Sequence, residues 1–594
     1  MVAALPGCEL CGKNFIMNQA DELNHLVDIA KGDAPADLLL KDAQVVNVFS
    51  GEVYAANVAI AGEWIAGVGK EYGEGKEVLE LEGLFLLPGL INGHFHLESS
   101  LLTPAEYALL ALAHGTTTVV LDPHEIANVL GWPGVQALID ASNALPLDFF
   151  FMAPSCVPAT PLETAGGFIP SIDVEKLLKN KRVLGLAEMM NFPGVLRKDP
   201  EVLKKIQAAR KRGKVIDGHA PLLSGKDLNA YIASGNESDH ECTRRKEAEE
   251  KIRLGMWLMI RQGSVAKNLK DLLPAVTLQN EHRCLFVLDD LEPSDLTQKG
   301  EIDHLLRQAV ALGLDPVRAV RMATLNPSER FGLRDRGAIG PGRRADLAAV
   351  SDLREFQVSL TFKDGKVVAR EGKAYPLFHA RFDPKVFQTI KIKPLDESSF
   401  DLPLAGEKAW VIGILPDQIL TRKLSLAVKK DGRKMVVSDP DSDVLKIAVI
   451  ERHQATGNIG LGLVKGFGLR RGALATSVAH DSHNLLVVGA SDEEMRQAVG
   501  EIEKMQGGFV VVDQGEIKAS LRLPIAGLMS LEPAAAVASQ MEKLTRAARE
   551  IGTLPTNPFL TLSFLALPVI PELKLTDKGL VDVSELRIIP LEAT

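Results

Sequence analysis

Cysteine is scarce in this chain: five in 594 residues, and scattered. That excludes a disulfide framework and favours a reducing cytoplasm. Cys8 and Cys11 form a lone C-x-x-C, with no second pair to complete a structural zinc site. An excess of basic charge is also missing. Lys and Arg number 67 against 77 Asp and Glu, a formal net charge of −10, which argues against a nucleic-acid or anionic-membrane surface. No apolar run reaches the length of a membrane span. "LTLSFLALPVI" near residue 560 is short, is broken by Pro568, and reads as core or interface. The N-terminal "MVAALPGCELCGK" lacks the basic and apolar regions of a signal peptide. There is no low-complexity tract and no internal repeat of fixed period.

What is present is a long chain, 46% hydrophobic and 24% charged. It is too long for one core, and two to four domains are expected. Residues 1–35 read as an N-terminal extension. Short β-rich runs separated by Gly-containing turns follow over 36–87, and 341–395 returns to β; together these are expected to form a small β-domain. Between them, over 88–340, continuous apolar runs alternate with helical patterns. The runs are "LFLLPGLINGHFH", "TTTVVLDPHE", "DFFFMAPS", "RVLGLAEMM", "KVIDGHAP", "ESDHECT", "MWLMIRQGS" and "CLFVLDD". Eight strands covered on both faces, each followed by a helix or loop, predict a (β/α)8 barrel. Residues 400–594 read as a separate C-terminal α/β domain. Within it, Ser491 and Glu494 open a helix as a capping box, and "GGFVVVDQGEIKASLRLP" reads as a hairpin.

The chemistry lies at the strand ends. In "GLINGHFH", His94 and His96 lie on one face of a strand, with Phe95 on the other. Alone the pair is as compatible with an exposed strand end as with a metal. Asp122, His124 and Glu125 end the second run, Glu188 the fourth, His219 the fifth, His240 the sixth, and Asp289 and Asp290 the eighth. Catalytic groups of such barrels gather at the C-terminal ends of the strands. So much charge and imidazole in one cavity is costly to bury without a cation. Imidazole and carboxylate without thiolate suit Zn, Mn or Fe(II). Six ligands exceed the need of one catalytic ion; two ions sharing a bridging carboxylate, Glu188, would use them all. A hydroxide held between two cations is a nucleophile at neutral pH, and Asp289 would take and pass on its proton.

These motifs, with "RMATLNPSERFGL" and "GAIGPGRRADLAAV", resemble the amidohydrolase superfamily. "HLESS", "DPHEIANVLG", "AEMMNFPGV", "DGHAPLLSGKDLNAYIASG", "SDHE" and "GMWLMIRQGS" resemble its bacterial adenine deaminase family. So do "HQATGNIGLGLVKGFGLRRGALATSVAHDSHNLLVVG" and "NPFLTLSFLALPVIPELKLTD", and the likeness runs from about residue 36 to the end. The resemblance implies a binuclear site of Mn(II) or Fe(II), with Zn(II) as a further option, held by His94, His96, Glu188, His219, His240 and Asp289. Glu188, His240 and Asp289 would carry the catalysis, and Glu98 and Glu125 are both candidates for contacting the purine ring, with no choice between them. Asn92, Asp122 and His124 would support the ligands from behind. The implied reaction is adenine plus water to hypoxanthine plus ammonia, in purine salvage. A homo-oligomer with small-molecule partners only is expected.

Two departures stand out. Asn92 replaces the usual Asp of the first motif, and "LEP" follows Asp290 where a more basic loop is expected; Asp289 is preferred over Asp290 as the acid by a small margin. Rival readings are another amidohydrolase reaction, such as cyclic-amide hydrolysis, and a purine-binding protein without turnover. "GNIGLGLVKGFG" lacks the phosphate-loop pattern and reads as turn glycines. "RKEAEEKIR" is a charged helix face. His480, Asp481 and His483 read as solvated or structurally bonded loop residues, against the alternatives of a second metal site or a patch reaching the barrel mouth.

Overall fold

The computed structural model describes residues 19–264, 266–375, 381–416 and 418–593. The C-x-x-C of Cys8 and Cys11 lies outside them.

The centre of the molecule is a ring of parallel strands. In chain order these are β1 (Leu90–Phe95), β2 (Thr116–Leu121), β3 (Asp148–Ala153), β4 (Val183–Met189), β5 (Val215–Gly218), β6 (Ser238–Asp239), β7 (Trp257–Arg261) and β8 (Cys284–Val287). They form two arcs, β1 to β5 and β6 to β8. Backbone hydrogen bonds span both seams. Glu237 N–H donates to Ile216 O (3.1 Å), while Asp289 N–H donates to His94 O (3.0 Å) and His96 N–H to Asp289 O (3.1 Å). Strands such as "TTTVVL" are β-branched and wholly buried, as a strand covered on both faces requires. The run "ESDHECT" contributes only two paired residues.

The first apolar run divides in two. Phe85–Pro88 pairs antiparallel with Leu347–Val350 in a flanking nine-stranded sheet, and only Leu90–Phe95 enters the ring. Pro88 has no N–H for a ladder, and the Gly89 N–H turns to Asp346 O (2.8 Å). The flanking sheet joins strands from Ala36 to Glu80 with strands from Leu347 to Ala374 around Leu40, Val58, Leu86 and Phe362. Helix Gln19–Lys31, in the stretch expected as an extension, lies on this sheet through Ile29, and Tyr72 OH donates to Ala30 O (2.8 Å). At the other end the expected limit of 395 is corrected. The last strand of this sheet is Lys373–Ala374, and Ile390 belongs to the core of the C-terminal unit, with Lys391 N–H on Arg452 O (2.8 Å).

The C-terminal unit is built on an eight-stranded sheet. Ser491 caps helix Asp492–Met505, accepting from Glu494 N–H, and Gly508–Asp513 and Glu516–Arg522 form the hairpin. The unit is not a free appendage. Ile525, Met529 and Val537 share one continuous core with Leu97, Leu101 and Tyr107 of the barrel. Ser530 N–H donates to Leu101 O (2.8 Å), Asn484 Nδ2 to Thr164 O (2.8 Å), and Thr576 Oγ1 to Leu162 O (2.7 Å). Among the described residues no helix is long and apolar enough to cross a membrane.

Candidate metal centre

The ends of β1, β2, β4, β5, β6, β7 and β8 deliver polar side chains into one buried space. The close packing there depends on glycine. A Cβ on Gly218, just before His219, would lie 2.2 Å from Ser238 O, so β5 and β6 approach only because it is absent.

All six expected ligands meet. Asp289 Oδ1 lies 3.3 Å from His94 Nε2 and 3.0 Å from His96 Nε2. Glu188 stands between two sets of imidazoles. Its Oε1 lies 3.4 Å from His96 Nε2 and 3.5 Å from His124 Nδ1; its Oε2 lies 2.6 Å from His219 Nδ1 and 3.1 Å from His240 Nε2. His94 and His240 stack at 4.3 Å. His96 Nδ1–H donates to Asp122 O (3.0 Å), which leaves Nε2 with its lone pair toward the cluster. Asp289 has φ +62°, a left-handed conformation rare for residues other than glycine but tolerated by aspartate. The two seam bonds to β1 hold it there.

The electrostatics are polarised. Burial opposes ionisation of Asp289, but Arg261 and the imidazoles of His94 and His96 hold its carboxyl well below the usual range. Burial likewise opposes Glu188, and His240 and His219 hold it well below. His240 is pushed up to about 9, its burial outweighed by Glu188. Glu98 is pushed up to about 7 by burial and by the Glu125 carboxylate.

The donors fit a divalent cation. His94 Nε2, His124 Nδ1, His240 Nδ1 and both Asp122 carboxylate oxygens are buried without a hydrogen-bond partner of good geometry among the described residues. Buried nitrogens and oxygens left in this way keep their lone pairs available to an ion. Three overlapping sets, His94–His96–Asp289, His94–Glu188–His240 and His96–His124–Glu188, each place their ligand atoms within 4.8 Å of one another. Imidazole with carboxylate and no thiolate suits Zn, Mn or Fe(II).

Of the expected supporting residues, Asp122 accepts from His96 through its backbone carbonyl, and the others are placed differently. Asn92 Nδ2 donates to Glu301 Oε1 (2.9 Å) rather than to either imidazole. His124 stands among the donors facing Glu188. Glu98 Oε1 accepts from Ile126 N–H (3.0 Å), while Glu125 pairs with His480 and His483 of the C-terminal unit. Two neighbours of the cluster escaped the sequence reading. Arg261 donates from Nη1 to Asp289 Oδ2 (2.8 Å) and forks onto Glu241, with Nη2 to Oε2 at 3.0 Å. Glu241 Oε1 in turn lies 3.5 Å from His240 Nε2. The available signals were a lone arginine ending an apolar strand and an acid directly after His240.

A parallel ring carrying this cluster at its C-terminal end defines the amidohydrolase class, and the amidohydrolase family model matches residues 85–368. The adenine deaminase C-terminal domain matches residues 418–587. Among curated relatives, adenine deaminase of Dehalococcoides mccartyi is 49% identical over 96% of this chain and 99% of its own. That of Desulfatibacillum aliphaticivorans is 49% identical with the same coverages, and that of Methanothrix thermoacetophila is 46% identical, again over 96% and 99%. The chain belongs to the adenine deaminase family. Among solved structures, a β-aspartyl dipeptidase of Fervidobacterium islandicum is 18% identical over 57% of this chain and 99% of that one, with a TM-score of 0.44. Atrazine chlorohydrolase of Arthrobacter aurescens, complexed with zinc, is 18% identical over 57% and 96%, with a TM-score of 0.43.

Proposed function

We propose that this enzyme deaminates adenine by hydrolysis, releasing hypoxanthine and ammonia in purine salvage. The observation that carries the site reading is Glu188, whose two oxygens face two different groups of imidazoles. Two divalent ions, Mn(II) or Fe(II) with Zn(II) also accommodated, would be held by His94, His96, Glu188, His219, His240 and Asp289. Bound there, they supply a water acidic enough to attack at neutral pH.

The chain's own groups do the rest. Arg261 occupies Oδ2 of Asp289, so Oδ1 is the oxygen left for proton transfer. Asp289 Oδ1 accepts a proton from the attacking water as the C6–O bond forms, and returns it to the exocyclic nitrogen as the C6–N bond breaks. Attack places negative charge on the ring, which a proton from the Glu98 carboxyl neutralises at a ring nitrogen, and the C6 hydroxyl returns a proton to Glu98 as the product carbonyl forms. Glu98, with one carboxylate oxygen free and a carboxyl pushed up to about 7, is suited to contact that edge. Glu125 is committed to the two C-terminal histidines and positions them instead.

The test uses protein from manganese-supplemented culture, with metal counted and ammonia followed. About two ions per chain and adenine-dependent ammonia, abolished in Glu188→Gln and Asp289→Asn, are expected. Two ions with ammonia from another amidine or amide, and none from adenine, would replace the substrate and keep the site.

A further inference from the structure

The loop His480–His483 of the C-terminal unit reaches the barrel. His480 Nδ1 lies 2.7 Å from Glu125 Oε1, and His483 Nε2 contacts Glu125 Oε2. The three ligand atoms lie close enough together for a metal. The hydrogen bonding speaks against one. His483 Nδ1 accepts the Ala479 N–H (3.1 Å) and so carries no proton, which puts the ring's proton on Nε2, facing Glu125. A cation on that nitrogen would require an imidazolate. The cluster is therefore a clamp by contact, Oε1 of Glu125 set against His480 and Oε2 against His483, with no hydrogen bond of good geometry between Oε2 and His483 Nε2.

The clamp fixes His480 in a particular attitude. Its ring stacks on Phe564 at 4.5 Å and 11°. With Nδ1 committed to Glu125, and no hydrogen bond to Nε2 among the described residues, Nε2 is the nitrogen left for a ligand. His480 also lines a narrow slot between barrel and C-terminal unit. The slot's other walls include Ser99 and Asp290 from the loops after β1 and β8, and Phe559, Leu560 and Ser563 from helix Pro558–Phe564. Those are the loops that carry His96 and Asp289, next to His94 at the end of β1. The slot as it stands encloses about 30 Å³, room for a water or two, so a flat heterocycle would enter along its apolar faces only as barrel and C-terminal unit part. Ser99 Oγ donates to Asp290 Oδ1 (2.5 Å), fixing that carboxylate and leaving its second oxygen as an acceptor for a ring N–H.

We infer that His480 is a binding residue for the nucleobase, presenting Nε2 to a ring nitrogen, and that the C-terminal unit thereby completes the substrate pocket. This rests on the deaminase reading above. Burial opposes a charge on His480, but Glu125 raises it to about 9, in keeping with a donor at Nε2.

The experiment uses the full-length, manganese-loaded enzyme, with hypoxanthine binding by calorimetry beside adenine kinetics. His480→Asn keeps a donor at the Nδ1 position for Glu125 and deletes the ligand contact; His480→Gln keeps a donor near Nε2. His480→Asn is expected to raise the hypoxanthine Kd and the adenine KM roughly 10–100-fold, the range for a hydrogen bond to a charged group. Its kcat should change less than about threefold and its metal content not at all, while His480→Gln recovers most of the binding. A folded His480→Asn enzyme that binds hypoxanthine like its parent overturns the inference. Should that variant not fold, Leu560→Trp decides, since filling the slot should abolish hypoxanthine binding while metal stays bound; unchanged binding overturns the inference. A parent enzyme that binds hypoxanthine but releases no ammonia from adenine overturns the deaminase reading instead.

Discussion

Asn92 shows how a departure at one position is answered at another. Its amide donates to Glu301 Oε1, which also accepts from Tyr107 OH (2.7 Å), while Thr116 Oγ1 donates to Oε2. Burial pushes the Glu301 carboxyl up, and these donors counter it. Aspartate at 92 would set a second carboxylate against the first where both side chains are fully buried. Asn92→Asp should therefore lower stability by at least about 1–3 kcal/mol, read as a fall in Tm. The double variant Asn92→Asp/Glu301→Gln should recover most of it, because the new amide donates where the carboxylate could not. A double variant no more stable than the single one would break the pairing. The six side chains that meet in the cluster could be picked out of the sequence because each ends an apolar run, a local pattern. Glu301 was not, because its partner Asn92 lies 209 residues away and only the folded ring brings them together.

At the scale of elements, local chemistry was readable wherever one segment sufficed. Ser491 with Glu494 and the hairpin around Gly515 are examples. Elements defined by distant packing were harder to read. "LFLLPGLINGHFH" looks like one strand, yet Pro88 and Gly89 hand its two halves to different sheets. Helix Pro558–Phe564 is another such element, set by a buried lysine: Lys574 Nζ donates to Phe564 O (2.9 Å) and Ile419 O (2.8 Å). Burial alone brings the Lys574 amine down to about 7 from its ordinary 10.5. Over that interval the unfolded chain holds a proton that the folded one has lost, so stability rises as pH rises from about 7 to 10.5. Below the lower value both states are protonated and the cost is constant. The slope should approach 1.4 kcal/mol per pH unit at most, and Lys574→Met should remove it. Thermal unfolding at pH 7 and pH 9.5 measures both, and an equal shift in parent and variant would locate the pH dependence elsewhere.

For the molecule as a whole, barrel and C-terminal unit share one hydrophobic core and are tied by hydrogen bonds from both backbone and side chains. The sequence divides them readily, because the strand-helix alternation stops near residue 340 and a different pattern begins by 400. It is silent on how they meet: nothing local to residues 478–484 says that two of their side chains grip an acid on the second barrel loop. With so much apolar surface in common, the two units should unfold in one calorimetric transition, lost together in variants that loosen either. Two resolved transitions would mean that the interface contributes little.

The order in which the chain is made gives that grip a further consequence. Thr164, on the barrel, and Asn484, beside the clamp, are 320 residues apart. At about 5–20 residues per second, synthesis takes on the order of half a minute to travel between them. The last donor of the cluster, Asp289, is made well before the loop that covers it. Each newly growing molecule thus passes through an interval in which its imidazoles and carboxylates exist and its cover does not, so cations can reach the donors from the open side before the finished protein closes over them.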